Sequence, residues 1–194
     1  MSTILDIVTT AAILYVVAAG LLLVFGVMKI INFAHGGFLT VGGYSALLVT
    51  HMGLHPWWAP AFAFVIGAVC GMAIERLVVR PLYARPLDAI LATWGLGIII
   101  GQVITLAIGR EVQFVQSPVS GALELPGGSY SGYRLLLVLI AIALGIGMTA
   151  LLEGTRLGLV TRAVIMNEHL ARGLGINSGL VRFATFSLGA GLAS

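Results

Sequence analysis

The sequence predicts an all-α fold: a polytopic bundle of transmembrane helices with about five full spans and the start of a sixth. Hydrophobic residues make up 59% of the 194 residues and charged residues only 9%, whereas soluble domains carry about 25% charged residues. The apolar residues lie in long segments separated by polar connectors, which is typical of membrane proteins. The 26 glycines agree with this fold, because small residues let transmembrane helices approach closely.

The five predicted spans follow the hydrophobic segments and form a single transmembrane domain over 1–194. The first segment is about 24 residues long and has no basic residue before it, so it is interpreted as a span rather than a signal peptide. The sixth begins near Phe183 and is shorter than the roughly 20 residues that a span needs, so we expect the chain to be part of a longer protein. The predicted spans are 4–27, 38–52, 59–74, 89–108 and 135–152.

Lysine and arginine positions predict the orientation of these spans. With the connector after the fifth span in the cytoplasm, the connectors after the first and third spans lie there too. The other side then holds only Arg110 and Arg134, and the N-terminus is predicted to be outside. The cytoplasmic side holds Lys29, Arg76, Arg80, Arg85, Arg156, Arg162, Arg172 and Arg182.

Two connectors have patterns of their own. The segment 75–88, ERLVVRPLYARPLD, is predicted to be a charged loop with two prolines. The segment 109–133, which lies outside the cell in this orientation, starts with the strand-like alternation EVQFVQ and continues with SPVSG, LEL and PGG. Alternation followed by turn residues predicts a small extracytoplasmic hairpin.

The most polar connector, 153–182, has the periodicity of a helix. Asn167 is suited to cap a short helix and Gly175 to end it, while Glu168 and Arg172 are spaced for an ion pair. The pattern predicts a short amphipathic helix outside the bilayer, which either transmits force from a cytoplasmic partner or is a solvated connector. Apolar residues at spacings of three and four define one face, Ala163, Met166, Leu170 and Leu174, and the other face carries Arg162, His169 and Arg172.

A second candidate site is the segment 32–43, NFAHGGFLTVGG, where two Gly-Gly pairs and polar residues argue against a continuous helix. Non-helical backbone is tolerated in a bilayer only where it is buried in protein or lines a cavity. We therefore predict a pathway through the bundle here; the alternative is that the polar groups satisfy backbone and the glycines permit packing. Polar residues of the fourth span face the bundle interior, either as pathway or as helix contact. The pathway candidates are Asn32, His35, Gly36, Gly37, Gly42, Gly43, Thr93 and Trp94.

Other residue types limit the function. The single cysteine, Cys70, and the scattered histidines provide no metal-ligand spacing, and no cofactor is predicted. The absence of catalytic motifs argues against an enzyme, and the net charge of +3 lies in connectors, which does not indicate nucleic-acid binding. The spans carry no carboxylate away from their ends, which disfavours proton coupling but leaves sodium coupling through carbonyls open. Close packing is predicted at Gly67-xxx-Gly71 and Gly97-xxx-Gly101.

Three stretches resemble the permeases of branched-chain amino-acid ABC importers, the LivH/LivM family. They are INFAHGG, ATWGLG and the block from Leu157 to Ala193, and the resemblance runs through nearly the whole chain. In the last block the recurring residues of the family match Arg162, Ala163, Asn167, Ala171, Gly175, Ile176, Asn177, Phe186, Leu188, Gly189 and Ala190.

The resemblance implies a permease subunit of the bacterial inner membrane that works by alternating access and takes up leucine, isoleucine and valine. Urea and short amides are carried by relatives and remain alternatives, as does an ion-coupled secondary transporter. The implied partners are ABC ATPase subunits, a second permease subunit (identical or related), a periplasmic substrate-binding protein and membrane lipid. The implied ATPase-coupling residues are Arg162, Ala163, Asn167, Glu168, Ala171, Gly175, Ile176 and Asn177.

Overall fold

The computed structural model describes residues 2–115, 117–119, 121–125 and 128–194. Apart from one β-hairpin, its regular structure is helical, which confirms the predicted all-α class. The helices are α1 (Ser2–Met28), α2 (His35–His51), α3 (Ala59–Ile74), α4 (Pro86–Ile108), α5 (Gly132–Gly154), α6 (Arg156–Met166), α7 (Glu168–Gly173) and α8 (Ser178–Ala193), with a 3₁₀ turn at Pro56–Trp58 before α3.

Four helical segments of the described chain are long and apolar enough to cross a membrane. They are Thr3–Met28, Pro56–Leu82, Pro86–Ile108 and Gly132–Gly154. The predicted second span forms α2, which has only 17 residues, and α8 has 16. The structure therefore supports several spans but does not confirm the predicted number of five.

The last helix, α8, lies in the middle of the bundle and packs against α1 and α3. Nine of its 16 residues are buried, whereas α4 and α5 expose most of their residues to the outside. At the centre, the rings of Phe38 and Phe186 meet edge to face with their centroids 6.3 Å apart. Such a pair adds about 0.5–1.5 kcal/mol beyond its buried area, and it links α8 to α2.

Glycines bring α8 close to both of its neighbours. A Cβ on Gly20 of α1 would lie 2.9 Å from the carbonyl oxygen of Gly189, and a Cβ on Gly71 of α3 would lie 2.5 Å from the Cβ of Ala190. The Cβ position of Gly67 is 2.9 Å from the carbonyl oxygen of Ala190. The predicted packing role of Gly67 and Gly71 is therefore confirmed, because any side chain there would push α8 away.

The prediction of a charged loop over 75–88 is wrong. The helix of α3 continues through a π-helical segment, Glu75–Val79, and a 3₁₀ turn, Arg80–Leu82. The two prolines do not interrupt a helix, because each lies at the first turn of a new one, where its missing N–H costs nothing. Glu75 is buried with 1% of its surface exposed, so its hydrogen-bond partners must come from the protein rather than from water.

The hairpin is predicted correctly in kind but with the wrong first strand. Strand β1 (Ala122–Leu125) pairs antiparallel with β2 (Gly128–Ser131), with Ala122 opposite Ser131 and Leu125 opposite Gly128. Residues 111–115 of the EVQFVQ motif have no regular structure, so their alternation does not form a strand. Residue 116 of that motif, residue 120 of SPVSG and residues 126–127 of PGG lie outside the described residues.

Candidate functional sites

After α1 the chain leaves the helix and runs back into the bundle. Lys29 has φ 57°, a left-handed conformation that few residues other than glycine adopt, and it marks the end of α1. The imidazole of His35 then donates through Nε2 to the carbonyl oxygen of Val17, 18 positions earlier, at 2.9 Å. Because Val17 lies near the middle of α1, α2 begins at depth in the bundle rather than at its end.

Polar side chains replace helical hydrogen bonds that residues 30–34 lack. The Asn32 side-chain oxygen accepts from the Ala34 N–H at 3.0 Å, and the Thr93 hydroxyl of α4 accepts from the Phe33 N–H at 3.2 Å. Asn32, Thr93 and His35 are all buried. The helix is therefore interrupted, as predicted, but at residues 29–34, and the structure gathers these three polar residues around the break. The expectation of non-helical backbone at the two Gly-Gly pairs is wrong, because both pairs lie within the regular helix α2.

The glycines of this segment have different surroundings. Gly37 packs on α4, since its Cβ position lies 3.2 Å from the Ile100 side chain, and Gly42 is enclosed by the end of α8. The Cβ positions of Gly36 and Gly43 have no atom within 4 Å. Close packing therefore explains two of the four glycines, and the other two lie on an open side of α2.

The two candidates in α4 are separated by the direction of their side chains. Thr93 faces the break, whereas Trp94 is 59% exposed. The Cβ position of Gly97 lies 3.3 Å from the Phe33 carbonyl oxygen, but that of Gly101 has no atom within 4 Å. The predicted packing at this glycine pair is therefore seen for Gly97 and not for Gly101.

The second site is the connector that α6 and α7 form. Asn167 ends α6 and caps α7, with its side-chain oxygen accepting from the Leu170 N–H at 3.1 Å. Asn177 caps α8 in the same way through the Leu180 N–H at 3.1 Å. Gly175 follows α7 with φ 84°. The predicted cap and helix end are both confirmed.

The prediction that residues 163–174 share one face of a single amphipathic helix is wrong. The chain forms two helices, and the predicted apolar face is open: Met166 is 86%, Leu170 67% and Leu174 82% exposed. Val164 and Ala171 are buried instead, in a cluster with Val27 and Val181. The break at Asn167 changes the direction of the helix, so one 3.6-residue period does not continue across it. Of the other coupling candidates, Arg162, Asn167, Gly175 and Asn177 are exposed, and Ala163, Glu168 and Ile176 are half-buried.

A cluster of charged and aromatic side chains joins α7 to α8 and to the end of α3. Glu168 pairs with Arg172 at 2.7 Å, as the spacing predicts, and also with Arg182 of α8. The Arg182 guanidinium stacks on the Tyr83 ring, 4.5 Å from its centroid. The Tyr83 hydroxyl donates to the buried carboxylate of Glu75.

Sequence reasoning missed the inner part of this cluster. Burial, and then the hydrogen bond to Glu75, raise the pKa of Tyr83 above its usual range, so the hydroxyl stays protonated and donates. Glu75 and Tyr83 are eight residues apart, a spacing that marks no pair on a regular helix. An aromatic and an arginine near a carboxylate at a span end were the only available signal.

The apolar cluster around Val164 and the cluster of charged and aromatic side chains around Arg182 place the connectors after α1, α3 and α5 at the same end of the bundle. Val27 at the end of α1 packs with Val181 at the start of α8, beside the contact of Arg182 with Tyr83. At the opposite end, Arg134 pairs with Asp6. Within the described residues, no three His, Cys, Asp or Glu side chains are close enough to hold a metal ion.

Comparison with known proteins identifies related chains. The family described as "branched-chain amino acid transport system / permease component" matches residues 3–194. The high-affinity branched-chain amino acid transport system permease protein LivH of Salmonella typhimurium is 27% identical over 202 residues, covering 96% of this chain and 66% of that protein. BraD of Pseudomonas aeruginosa, with the same description, is 28% identical over 193 residues, 92% of this chain and 63% of that protein. A probable LivH of Methanocaldococcus jannaschii is 30% identical over 188 residues, 93% and 59% of the two chains.

The chain thus spans just under two thirds of the length of the curated relatives that it matches. No solved structure matches it. The relatives are named as transport permeases rather than enzymes, and the four long apolar helices fit a multi-pass membrane protein. With a family match over residues 3–194, the chain belongs to the family of branched-chain amino acid transport permease components.

Proposed function

We propose that this chain is the membrane-spanning part of a permease subunit in a binding-protein-dependent ABC importer for branched-chain amino acids. ATP is hydrolysed on partner subunits, and this chain contributes no catalytic group or cofactor. The observation that carries the proposal is the exposed apolar surface of α6 and α7 at the end of the bundle that holds the basic connectors. The resemblance and the names of the relatives supply the transport class.

The ATPase docks on the side chains of Met166, Leu170 and Leu174, which we call the docking ridge. Each of the three is more than 60% exposed, although they lie in the most polar connector of the chain. Large exposed apolar side chains surrounded by polar residues are typical of a protein-interaction surface. A merely solvated connector gains nothing from three large apolar side chains in the open, whereas a cleft on an ATPase would bury them.

The substrate pathway passes the break between α1 and α2. Its backbone at bundle depth is held by buried polar groups of Asn32, His35 and Thr93, which is the arrangement expected where a helix is interrupted beside a route through the membrane. Phe33 and Trp94 lie next to these groups and are 51% and 59% exposed. Exposed apolar side chains beside a polar break suit a substrate with an apolar side chain and charged backbone groups.

The orientation and assembly follow from the two ends of the bundle. The end with α6, α7 and most of the basic residues faces the cytoplasm, which leaves the N-terminus and the β1–β2 hairpin outside, where a substrate-binding protein delivers its cargo. The exposed apolar faces of α4 and α5 contact lipid and a second permease subunit, either identical or related. A bacterial inner membrane is the proposed location, because two of the three relatives named are permeases of bacteria.

The first test is whether an ATPase subunit co-purifies with the full-length gene product when neighbouring genes are co-expressed. The double variant Met166→Ser/Leu170→Ser should lose the ATPase, and Leu87→Ser is the matched control, because Leu87 is 75% exposed at the same end but lies on α4. Loss in both variants, or in neither, would argue against the docking ridge.

The substrate is tested by uptake of labelled leucine into vesicles, with valine, isoleucine, urea and acetamide as competitors. Competition by the two amino acids only would support the branched-chain assignment. If no ATPase co-purifies with the wild-type protein and uptake follows a sodium or proton gradient, the chain is an ion-coupled transporter and the proposal fails.

A further inference from the structure

Arg182 lies at the start of the central helix α8 and contacts side chains on both sides of it. On one side it pairs with Glu168, the first residue of α7. On the other side it stacks on Tyr83, whose hydroxyl donates to Glu75. The side chain of Arg182 is only 14% exposed, so these contacts are shielded from the solvent that weakens surface ion pairs.

The helix α7 has few other contacts that fix its position. It has six residues, of which only Ala171 is buried. A helix this short is not stable by itself, and Leu170, its residue in the docking ridge, is exposed rather than packed on the bundle. Its attachment to the bundle therefore depends on Ala171, on Arg172, whose Nε donates to the buried Ser178 hydroxyl of α8 at 2.7 Å, and on the carboxylate of Glu168. That carboxylate accepts from Arg172 with one oxygen and from Arg182 with the other.

From Arg182 the contacts continue to the candidate pathway. Phe186 follows Arg182 by one helical turn, and its ring packs edge to face on Phe38. Phe38 lies in the first turn of α2, next to His35 and the interrupted backbone. A displacement of α7 that is transmitted through Arg182 therefore moves α8, and α8 in turn contacts the helix that begins at the break.

Two buried polar atoms distinguish the contacts of Arg182 from an ordinary ion pair. The second oxygen of Glu75 and the Nε of Arg182 are both buried, and neither finds a hydrogen-bond partner within the described part of the chain. They are an acceptor and a donor, and both belong to residues that contact Tyr83. Arg182 and Glu75 thus carry complementary unpaired atoms, and Tyr83 contacts both residues.

We infer that Arg182 is a positioning residue that couples α7 to the membrane core, with Glu168 as its partner on the docking side and Tyr83 with Glu75 as its partners on the core side. The inference rests on the proposed function and adds the side chains that carry motion from the docked ATPase to the pathway. The docking ridge, not Arg182, binds the ATPase. Loss of the Arg182 contacts therefore uncouples ATP hydrolysis from transport without separating the subunits.

The experiment uses the full-length permease with its ATPase and binding protein in proteoliposomes, and it measures substrate transported per ATP hydrolysed. The variants are Glu168→Gln, Arg182→Gln, their combination and Arg182→Lys. Arg85→Gln is the matched control, because it removes a cation at the same end whose pair with Asp88, at 3.8 Å, is largely exposed and contributes little.

We expect Glu168→Gln and Arg182→Gln each to lower the transport-to-hydrolysis ratio by about 5- to 150-fold, the usual range of a coupling interaction, while the ATPase still co-purifies. The double variant should be no worse than the worse single one, because both remove one interaction. Arg182→Lys should recover part of the ratio, since it keeps the charge but not the stacked guanidinium, and Arg85→Gln should match the wild type.

An unchanged ratio in Glu168→Gln, or losses that multiply in the double variant, would overturn the inference. The Glu168→Gln variant tests the inference even if the Arg182→Gln protein does not fold. Its substitution disturbs packing less, because Glu168 is the more exposed of the two side chains. A wild-type complex that contains no ATPase would instead refute the proposed function, so the two failures are told apart.

Discussion

The imidazole Nε2 of His35 donates to the carbonyl oxygen of Val17 at 2.9 Å, and this bond ties the first residue of α2 to the middle of α1. It holds the chain in a return path that the intervening non-helical backbone could not keep alone. Water is scarce at such depth in a membrane, so each backbone group there needs a partner from the protein. The polar side chains around the break supply those partners.

Replacing His35 by leucine should destabilise the bundle by about 1 kcal/mol, the usual net contribution of one hydrogen bond, and should lower its melting temperature in detergent. His35→Gln retains a donor and should lose less. His51→Leu is the control, because His51 is exposed at the last position of α2. Equal melting temperatures for the two leucine variants would show that the bond to Val17 does not stabilise the break.

Thr93→Val should reduce both stability and uptake. The hydroxyl of Thr93 accepts from the Phe33 N–H, and valine has the same shape but cannot accept from that part-buried N–H, at a cost of about 1 kcal/mol. Thr93→Ser keeps the hydroxyl and should behave nearly as the wild type. The control is Thr105→Val, because within the described residues the Thr105 hydroxyl bonds only to Gly101 of its own helix, at 2.8 Å. Equal uptake by Thr93→Val and Thr105→Val would contradict a role of the Thr93 hydroxyl in holding the break.

Gly71→Val should separate α3 from α8, whereas Gly101→Val should be tolerated. The Cβ position of Gly71 is 2.5 Å from the Ala190 Cβ, and that of Gly101 has no neighbour within 4 Å. Overpacking between fixed helices typically costs about 1–3 kcal/mol. Thermal unfolding of the two purified variants measures the difference, and equal stability would mean that α8 moves away without cost.

Hydrophobicity alone predicts much of this fold. The helices α1, α3, α4 and α5 begin and end within a few residues of the predicted spans, because a bilayer requires long apolar segments whatever their tertiary contacts. The cap at Asn167 and the helix end at Gly175 are also predicted, since both depend on chemistry within four residues.

What the sequence does not reveal depends on contacts between distant residues. Glu75 looks like a solvated loop residue until Tyr83 and Arg182 are seen around it, and Arg182 comes from a helix about a hundred positions later. The outward direction of Leu170 likewise follows from the break before α7, which a search for one continuous period overlooks. Burial of the candidate site is therefore a tertiary property, even where its residues are visible in the sequence.

Gly175 and Gly173 provide a matched pair for the coupling loop. Neither Cβ position has an atom within 4 Å, but Gly175 has φ 84°, while Gly173 is the last residue of α7. Gly175→Ala should therefore cost about 1 kcal/mol through backbone strain alone, and Gly173→Ala should stabilise α7 by up to about 1 kcal/mol. ATPase co-purification under increasing salt should fall in the first variant and hold or rise in the second.

Gly175→Pro should be more severe than either alanine variant. The Gly175 N–H donates to the Arg172 carbonyl at 3.0 Å, and proline both removes this donor and fixes φ near −65°. Because the change lies in a connector, membrane insertion should be retained while transport and ATPase association are lost. Normal ATPase binding by Gly175→Pro would mean that the end of α7 does not position the docking ridge, and equal behaviour of the two alanine variants would lead to the same conclusion.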